Sequence, residues 1–148
     1  MQQRLERIEE FGVNVRNNTK AGLAGAMRDL GGAEAERGKL WHQLRELFER
    51  YDHLLTPTMA VPPFPVEQNY PDSVAGQPMQ TYIDWLAPTF VLSLTGSPVA
   101  SVPCGLAAGM PVGMQIVGPP EGEEAVLALA GTLQQGCPIP PPPMERSR

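Results

Sequence analysis

Apolar residues recur at helical spacing over the first fifty positions and gather into short runs after that. Over residues 4–16, Leu5, Ile8, Phe11 and Val15 alternate with Arg and Glu, a pattern that predicts an amphipathic helix. Thr19 to Asp29 repeats the pattern more weakly, and Gly31-Gly32 predicts a break. The clearest helix is predicted over 33–51, where Leu40, Leu44, Leu47, Phe48 and Tyr51 make one stripe. Glu34 and Glu36 near its start and Arg45 and Arg50 near its end complement the helix dipole.

The pattern changes after Asp52. His53-Leu54-Leu55-Thr56 predicts a short strand ended by Pro57, and residues 57–78, with six prolines, predict an irregular excursion. Tyr82, Ile83 and Leu86 return to helical spacing over 80–87, and Pro88 opens a further helical stretch to residue 95, ended by Gly96. Pro98–Cys104 and Val112–Val117 predict two apolar strands, joined by Gly105–Pro111 as an antiparallel pair. Behind Glu121, Glu123 and Glu124, a last helix places Val126, Leu129, Ala130 and Leu133 on one face and closes near Gly136. The proline-rich residues 137–148 predict a flexible tail. The chain thus divides into a helical part, 1–52, and a sheet-and-helix part, 53–136.

Charge sharpens this picture in two places. From Trp85 to Pro120 there are 36 residues without an Asp, Glu, Lys or Arg, long enough to cross a bilayer. The prolines and glycines inside that run break any continuous helix, so it reads as core strands and not as a membrane span. The net charge of −5, with eleven Lys and Arg interleaved among acids, excludes the concentrated basic face that nucleic acid needs. Two cysteines, Cys104 and Cys137, give neither a disulfide framework nor metal-ligand spacing, and the first residues lack an apolar leader core. Both features fit a cytoplasmic setting.

Three strands, two of them almost wholly apolar, imply a sheet covered on both faces with neighbours on either side. Nothing before residue 53 reads as such a neighbour. On physical grounds the expectation is part of an α/β domain, with further strands outside these residues.

Independent chemistry is thinly represented. Cys104, His42 and His53 are the only parts for a Cys–His pair, and Cys104, in an apolar run, reads as an inert buried thiol. Ser101 lacks the strand-to-helix turn that exposes a serine nucleophile, and no HExxH or GxxxxGK[ST] pattern occurs. Gly113, inside a strand, reads as a place where another backbone packs closely.

Three blocks in fixed order carry a resemblance. They are Tyr51-Asp52-His53-Leu54-Leu55-Thr56-Pro57-Thr58, then Leu94-Thr95-Gly96-Ser97-Pro98-Val99-Ala100-Ser101-Val102-Pro103-Cys104-Gly105, then Gly109-Met110-Pro111-Val112-Gly113-Met114-Gln115-Ile116-Val117-Gly118. From Tyr51 to Gln135 the chain resembles the C-terminal portion of the amidase signature family, which includes bacterial amidases and a component of glutamyl-tRNA amidotransferase. The resemblance implies an α/β fold with a mixed β-sheet core flanked by helices. It also implies hydrolysis of an amide C–N bond by a Ser nucleophile, a second Ser with a cis peptide bond, and a Lys. No cofactor and no metal are implied.

The Gly/Ser-rich loop that carries that chemistry does not occur in these 148 residues. The only lysines are Lys20 and Lys39, and no two serines are adjacent. No catalytic residue is therefore assigned, and the chain is expected to be inactive alone. The family resemblance implies instead one wall of the site for a small-molecule amide, with Thr56, Pro57, Thr58, Tyr82, Asp84, Trp85 and Phe90 as candidates. It leaves open a non-catalytic binding module, or half of a split amidase completed by a partner chain.

Overall fold

The computed structural model describes residues 5–136 and 138–139, so the tail expected over 137–148, and Cys137 with it, lies almost wholly outside the described residues. The chain forms two compact units, Met1–Lys39 and Leu40–Arg148.

The first unit holds a 3₁₀ turn at Ile8–Glu10, helix α1 (Val13–Ala24) and the first part of helix α2 (Met27–Phe48). The single helix expected over 4–16 is interrupted, because Phe11 and Gly12 are extended, with ψ of 156° and 155°. A second extended glycine, Gly25, separates α1 from α2. The break expected at Gly31-Gly32 does not occur, since both glycines lie inside α2. Each costs the helix about 1 kcal/mol against alanine. The helix is set further upstream, where the Asp29 carboxylate accepts the Ala26 N–H at 3.1 Å. Exposed pairs, Arg37–Glu34 at 2.8 Å and Lys39–Glu36 at 2.6 Å, follow the glycines one turn apart.

In the second unit the predicted stripe is buried most deeply at Leu44, while Leu40, Leu47 and Phe48 are half-buried and Tyr51 is exposed. Strand β1 is Leu54–Pro57, and β2 (Ser73–Val74) and β3 (Gln77–Pro78) form a small hairpin within the irregular excursion. The helical reading of 80–87 reduces to turns and a 3₁₀ turn at Asp84–Leu86, followed by α3 (Ala87–Ser93) with Pro88 in its first turn. The left-handed Gly96 (φ 72°) follows it.

Strands β4 (Val99–Ala107) and β5 (Met110–Val117) pair as expected and run further toward each other than the sequence indicates. Ala108 and Gly109, both at positive φ (51° and 79°), make the two-residue turn between them. The sheet order is β1-β5-β4, and its pairs are antiparallel. One irregularity breaks the ladder: Pro103 faces Gly113 and Gly105 faces Val112, so Cys104 is the extra residue of a bulge.

Helix α4 (Glu123–Gly136) lays Val126 and Ala130 on Val102 and the fully buried Ile116. Gly118 permits this approach, because a Cβ there would stand 2.5 Å from Val126 Cγ2. Cover on both sheet faces is local: Ile116 and Val117, on opposite faces, are both fully buried, whereas Leu55, Val99, Leu106 and Met110 are exposed.

Candidate functional site

Alternation along the strands sorts the sheet residues onto two faces. Leu55, Pro57, Met114, Ile116, Ala100 and Val102 share one face, and Thr56, Gln115 and Ser101 stand side by side on the other. The second face is therefore more polar than the runs of apolar letters implied. There the buried Gln115 carboxamide donates to Thr56 Oγ1 at 3.1 Å, to the Pro57 carbonyl at 3.1 Å and to the Pro88 carbonyl at 2.9 Å. One side chain thus fastens β5 to the end of β1 and to the start of α3.

Next to it, Thr58 extends the ladder by donating its N–H to the Gly113 carbonyl at 2.9 Å. Its hydroxyl meets Ser101 Oγ at 2.7 Å. The pair occupies space that a side chain at position 113 would need, since a Cβ there would fall 2.7 Å from Thr58 Oγ1. The space at Gly113, expected to admit another backbone, is instead filled by two hydroxyl side chains, those of Thr58 and Ser101.

Beyond β1 the chain turns through Met59–Phe64, and between this segment and the sheet lies a groove of about 590 Å³. Its walls include Leu55, Val61, Phe64, Trp85, Cys104 and Met114. The size is typical of small-molecule pockets, which are apolar with a few polar groups. The Trp85 ring stands edge-on to Phe64 at 5.2 Å and to Tyr82 at 6.1 Å.

Of the residues expected at a substrate wall, Thr56, Pro57, Thr58 and Trp85 line this groove. Tyr82 reaches it only through its contact with Trp85, and Phe90, on α3, is exposed and does not line it. Asp84 also stays outside the groove. Its carboxylate accepts the N–H groups of Gln80 at 2.7 Å and Thr81 at 2.9 Å, and the Thr81 hydroxyl at 2.7 Å. The Thr81 hydroxyl, followed by the Gln80 and Thr81 amides, holds this carboxylate below its ordinary pKa. A side chain saturated by its own turn has a local task, as a cap does.

The Met59–Phe64 segment, the loop directly after the Leu54-Leu55-Thr56-Pro57-Thr58 block, supplies a wall of the groove. One feature was not legible in the sequence. Cys104, read as buried, is exposed and lines the same groove, with its Sγ 3.7 Å from the Val112 carbonyl. The bulge lifts it out of the regular in-and-out alternation. Among the described residues no group of His, Cys, Asp and Glu is placed to hold a metal. None of their helices is long and apolar enough to cross a membrane.

A three-stranded antiparallel sheet with a helix across it and an apolar groove at its margin makes up the α/β part of the chain. A sequence model of the Amidase family matches residues 7–127, and the chain belongs to that family.

The A-type subunit of the Cenarchaeum symbiosum glutamyl-tRNA(Gln) amidotransferase is 37% identical over 107 residues, 72% of this chain and 21% of that protein. Its counterpart from Geobacillus kaustophilus is 31% identical over 137 residues, 89% of this chain and 27% of that protein. A solved amidase superposes with a TM-score of 0.79 at 32% identity, over 89% of this chain and 30% of its own. A bacterial aryl acylamidase of the amidase signature family shares the fold, with a TM-score of 0.78 at 24% identity over 87% of this chain and 27% of its own. The chain therefore spans about a quarter of the length of the relatives it matches.

Proposed function

We propose that this chain forms one wall of the substrate site in an amide-bond hydrolase of the amidase signature type. The observation that carries this reading is the groove, built by the family-matched segments around Thr56-Pro57-Thr58 and Trp85. In this reading Tyr82 buttresses Trp85, Asp84 fixes the turn that presents it, and Phe90 belongs to the outer margin.

The Ser nucleophile, the second Ser and the Lys come from polypeptide outside these 148 residues, in the same chain or in a partner chain. An alcohol attacks a carbonyl only once a base takes its proton, and the oxyanion needs aligned donors. Neither part is assembled by the groove residues. Two observations support further polypeptide against this unit. His53 Nε2 and Trp85 Nε1 are buried without a hydrogen-bond partner among the described residues. Among the described residues, strands β1 and β4 each pair on one side only. A cytoplasmic setting suits the exposed free thiol of Cys104.

The test is ammonia release from a primary amide by the 148-residue chain alone and by the chain joined to, or co-purified with, a Gly/Ser-rich nucleophile segment. The chain alone should be inactive and the joined protein active. Turnover by the chain alone, abolished by Cys104→Ala, would overturn the assignment.

A further inference from the structure

The groove is lined by stretches that lie far apart in sequence. They include the end of β1 with Thr56-Pro57-Thr58, residues 111–114 of β5, and the 3₁₀ turn that carries Trp85. Such a groove keeps its width only if these stretches are fixed to one another. Proline weakens the ordinary means of doing so at the β1 joint. Pro57 faces Met114 in the β1–β5 register but has no N–H to give the ladder.

Gln115 stands where these stretches meet. It follows residues 111–114 directly on β5, is 5% exposed, and is not itself among the residues that line the groove. Its carboxamide donates to Thr56 Oγ1, to the Pro57 carbonyl and to the Pro88 carbonyl, and Pro88 follows the turn that bears Trp85. These partners lie 59, 58 and 27 residues away along the chain. Two amide hydrogens serve three acceptors, so the group is satisfied only where all three stand close. An apolar side chain of the same length would fill the space without fixing a distance, because only the hydrogen bond is directional.

We infer that Gln115 is the positioning residue of the groove. It acts through Thr56, Pro57 and the start of α3, and it sets the separation between the sheet wall and the Trp85 ring. Phe64 meets that ring at 5.2 Å, so the loop after β1 is placed by the same anchor. That these walls serve an amide rests on the hydrolase reading above. The positioning itself does not.

Cys104 gives a view of the Trp85 wall from the opposite side. It is exposed, lines the same groove, and belongs to β4, which the β5 ladder holds. In a Cys137→Ser, Trp41→Phe background it is the only thiol and Trp85 the only tryptophan. The experiment labels this thiol with monobromobimane, whose emission tryptophan quenches on close approach, and Trp85→Phe supplies the unquenched level. Gln115→Met should bring the emission at least halfway from the parent level to that of Trp85→Phe, with the circular dichroism of a folded chain. Gln115→Asn keeps the amide but draws it back by one methylene. It should shift the emission in the same direction, and it decides the question if the Met variant does not fold.

Val126→Ala removes volume beneath α4, on the other face of the sheet, and should lower Tm while leaving the emission at the parent level. Emission unchanged in a folded Gln115 variant, or raised equally by Val126→Ala, would overturn the inference. A parent that Trp85→Phe does not brighten would overturn it too. None of these readings needs turnover, so the hydrolase reading fails on a different result, the lack of any amide turnover by the joined protein.

Discussion

Removing the amide nitrogen of Gln115 should loosen three segments at once. The side chain is 5% exposed and its Nε2 lies within 3.1 Å of Thr56 Oγ1, the Pro57 carbonyl and the Pro88 carbonyl. An NH₂ group has two hydrogens, so two full bonds, one of them shared, is the capacity to count. A net bond contributes about 1 kcal/mol, and a buried acceptor left unpaired costs about 1–3 kcal/mol. Gln115→Met keeps the length of the side chain and deletes the donors, so the expected loss is about 2–3 kcal/mol. At roughly 2–4 °C per kcal/mol for a chain of this size, Tm should fall by about 5–10 °C.

Thermal unfolding followed by far-UV circular dichroism reads this directly. Gln115→Glu should cost at least as much, since it turns a carboxylate toward carbonyl oxygens. A Gln115→Met protein that melts within about 1 °C of the parent, as a neutral surface change does, would refute the idea that this carboxamide ties β5 to β1 and α3.

Other outcomes follow from the same geometry. Gly113→Ala puts a Cβ 2.7 Å from Thr58 Oγ1 and should destabilise by about 1–3 kcal/mol in urea unfolding, with partial recovery in the Thr58→Ala double variant. The Asp84 carboxylate is held below its ordinary pKa chiefly by the Thr81 hydroxyl. Its contribution is therefore fully present above the unfolded carboxylate value and is lost as pH falls through the lower folded value. Asp84→Ala should melt earlier than the parent at neutral pH, and the difference should close as acid approaches that folded value.

The elements legible in the sequence were those whose signal is local. The stripe from Leu40 to Phe48 and the run Val126–Leu133 repeat at helical spacing, and the β4–β5 pair is announced by two apolar runs around a glycine-bearing turn. Failures came where a neighbour decides. Gly31-Gly32 carries a break signal, yet the helix start fixed by Asp29 runs through it. Cys104 sits in an apolar run, but its exposure depends on a register shift against Gly113 and Val112 that no single strand encodes. Four of the seven candidate wall residues, Thr56, Pro57, Thr58 and Trp85, line the groove, the first three within the block that ends β1. For Asp84 a local role at a helix start weighs more than a substrate contact in the sequence, and three donors four residues away or fewer hold its oxygens.

The sheet order has a consequence for the sequence of events in folding. The Ala108-Gly109 turn lets β4 and β5 find each other as soon as both exist, with almost no loop to close. Strand β1 is made earlier but must wait, because Thr56 and its partner Gln115 are 59 residues apart. Until β5 arrives, β1 and the segment behind it have no ladder to join. The hairpin is thus the template and β1 the late addition, so a change that weakens Gln115 should raise the unfolding rate more than it lowers the folding rate.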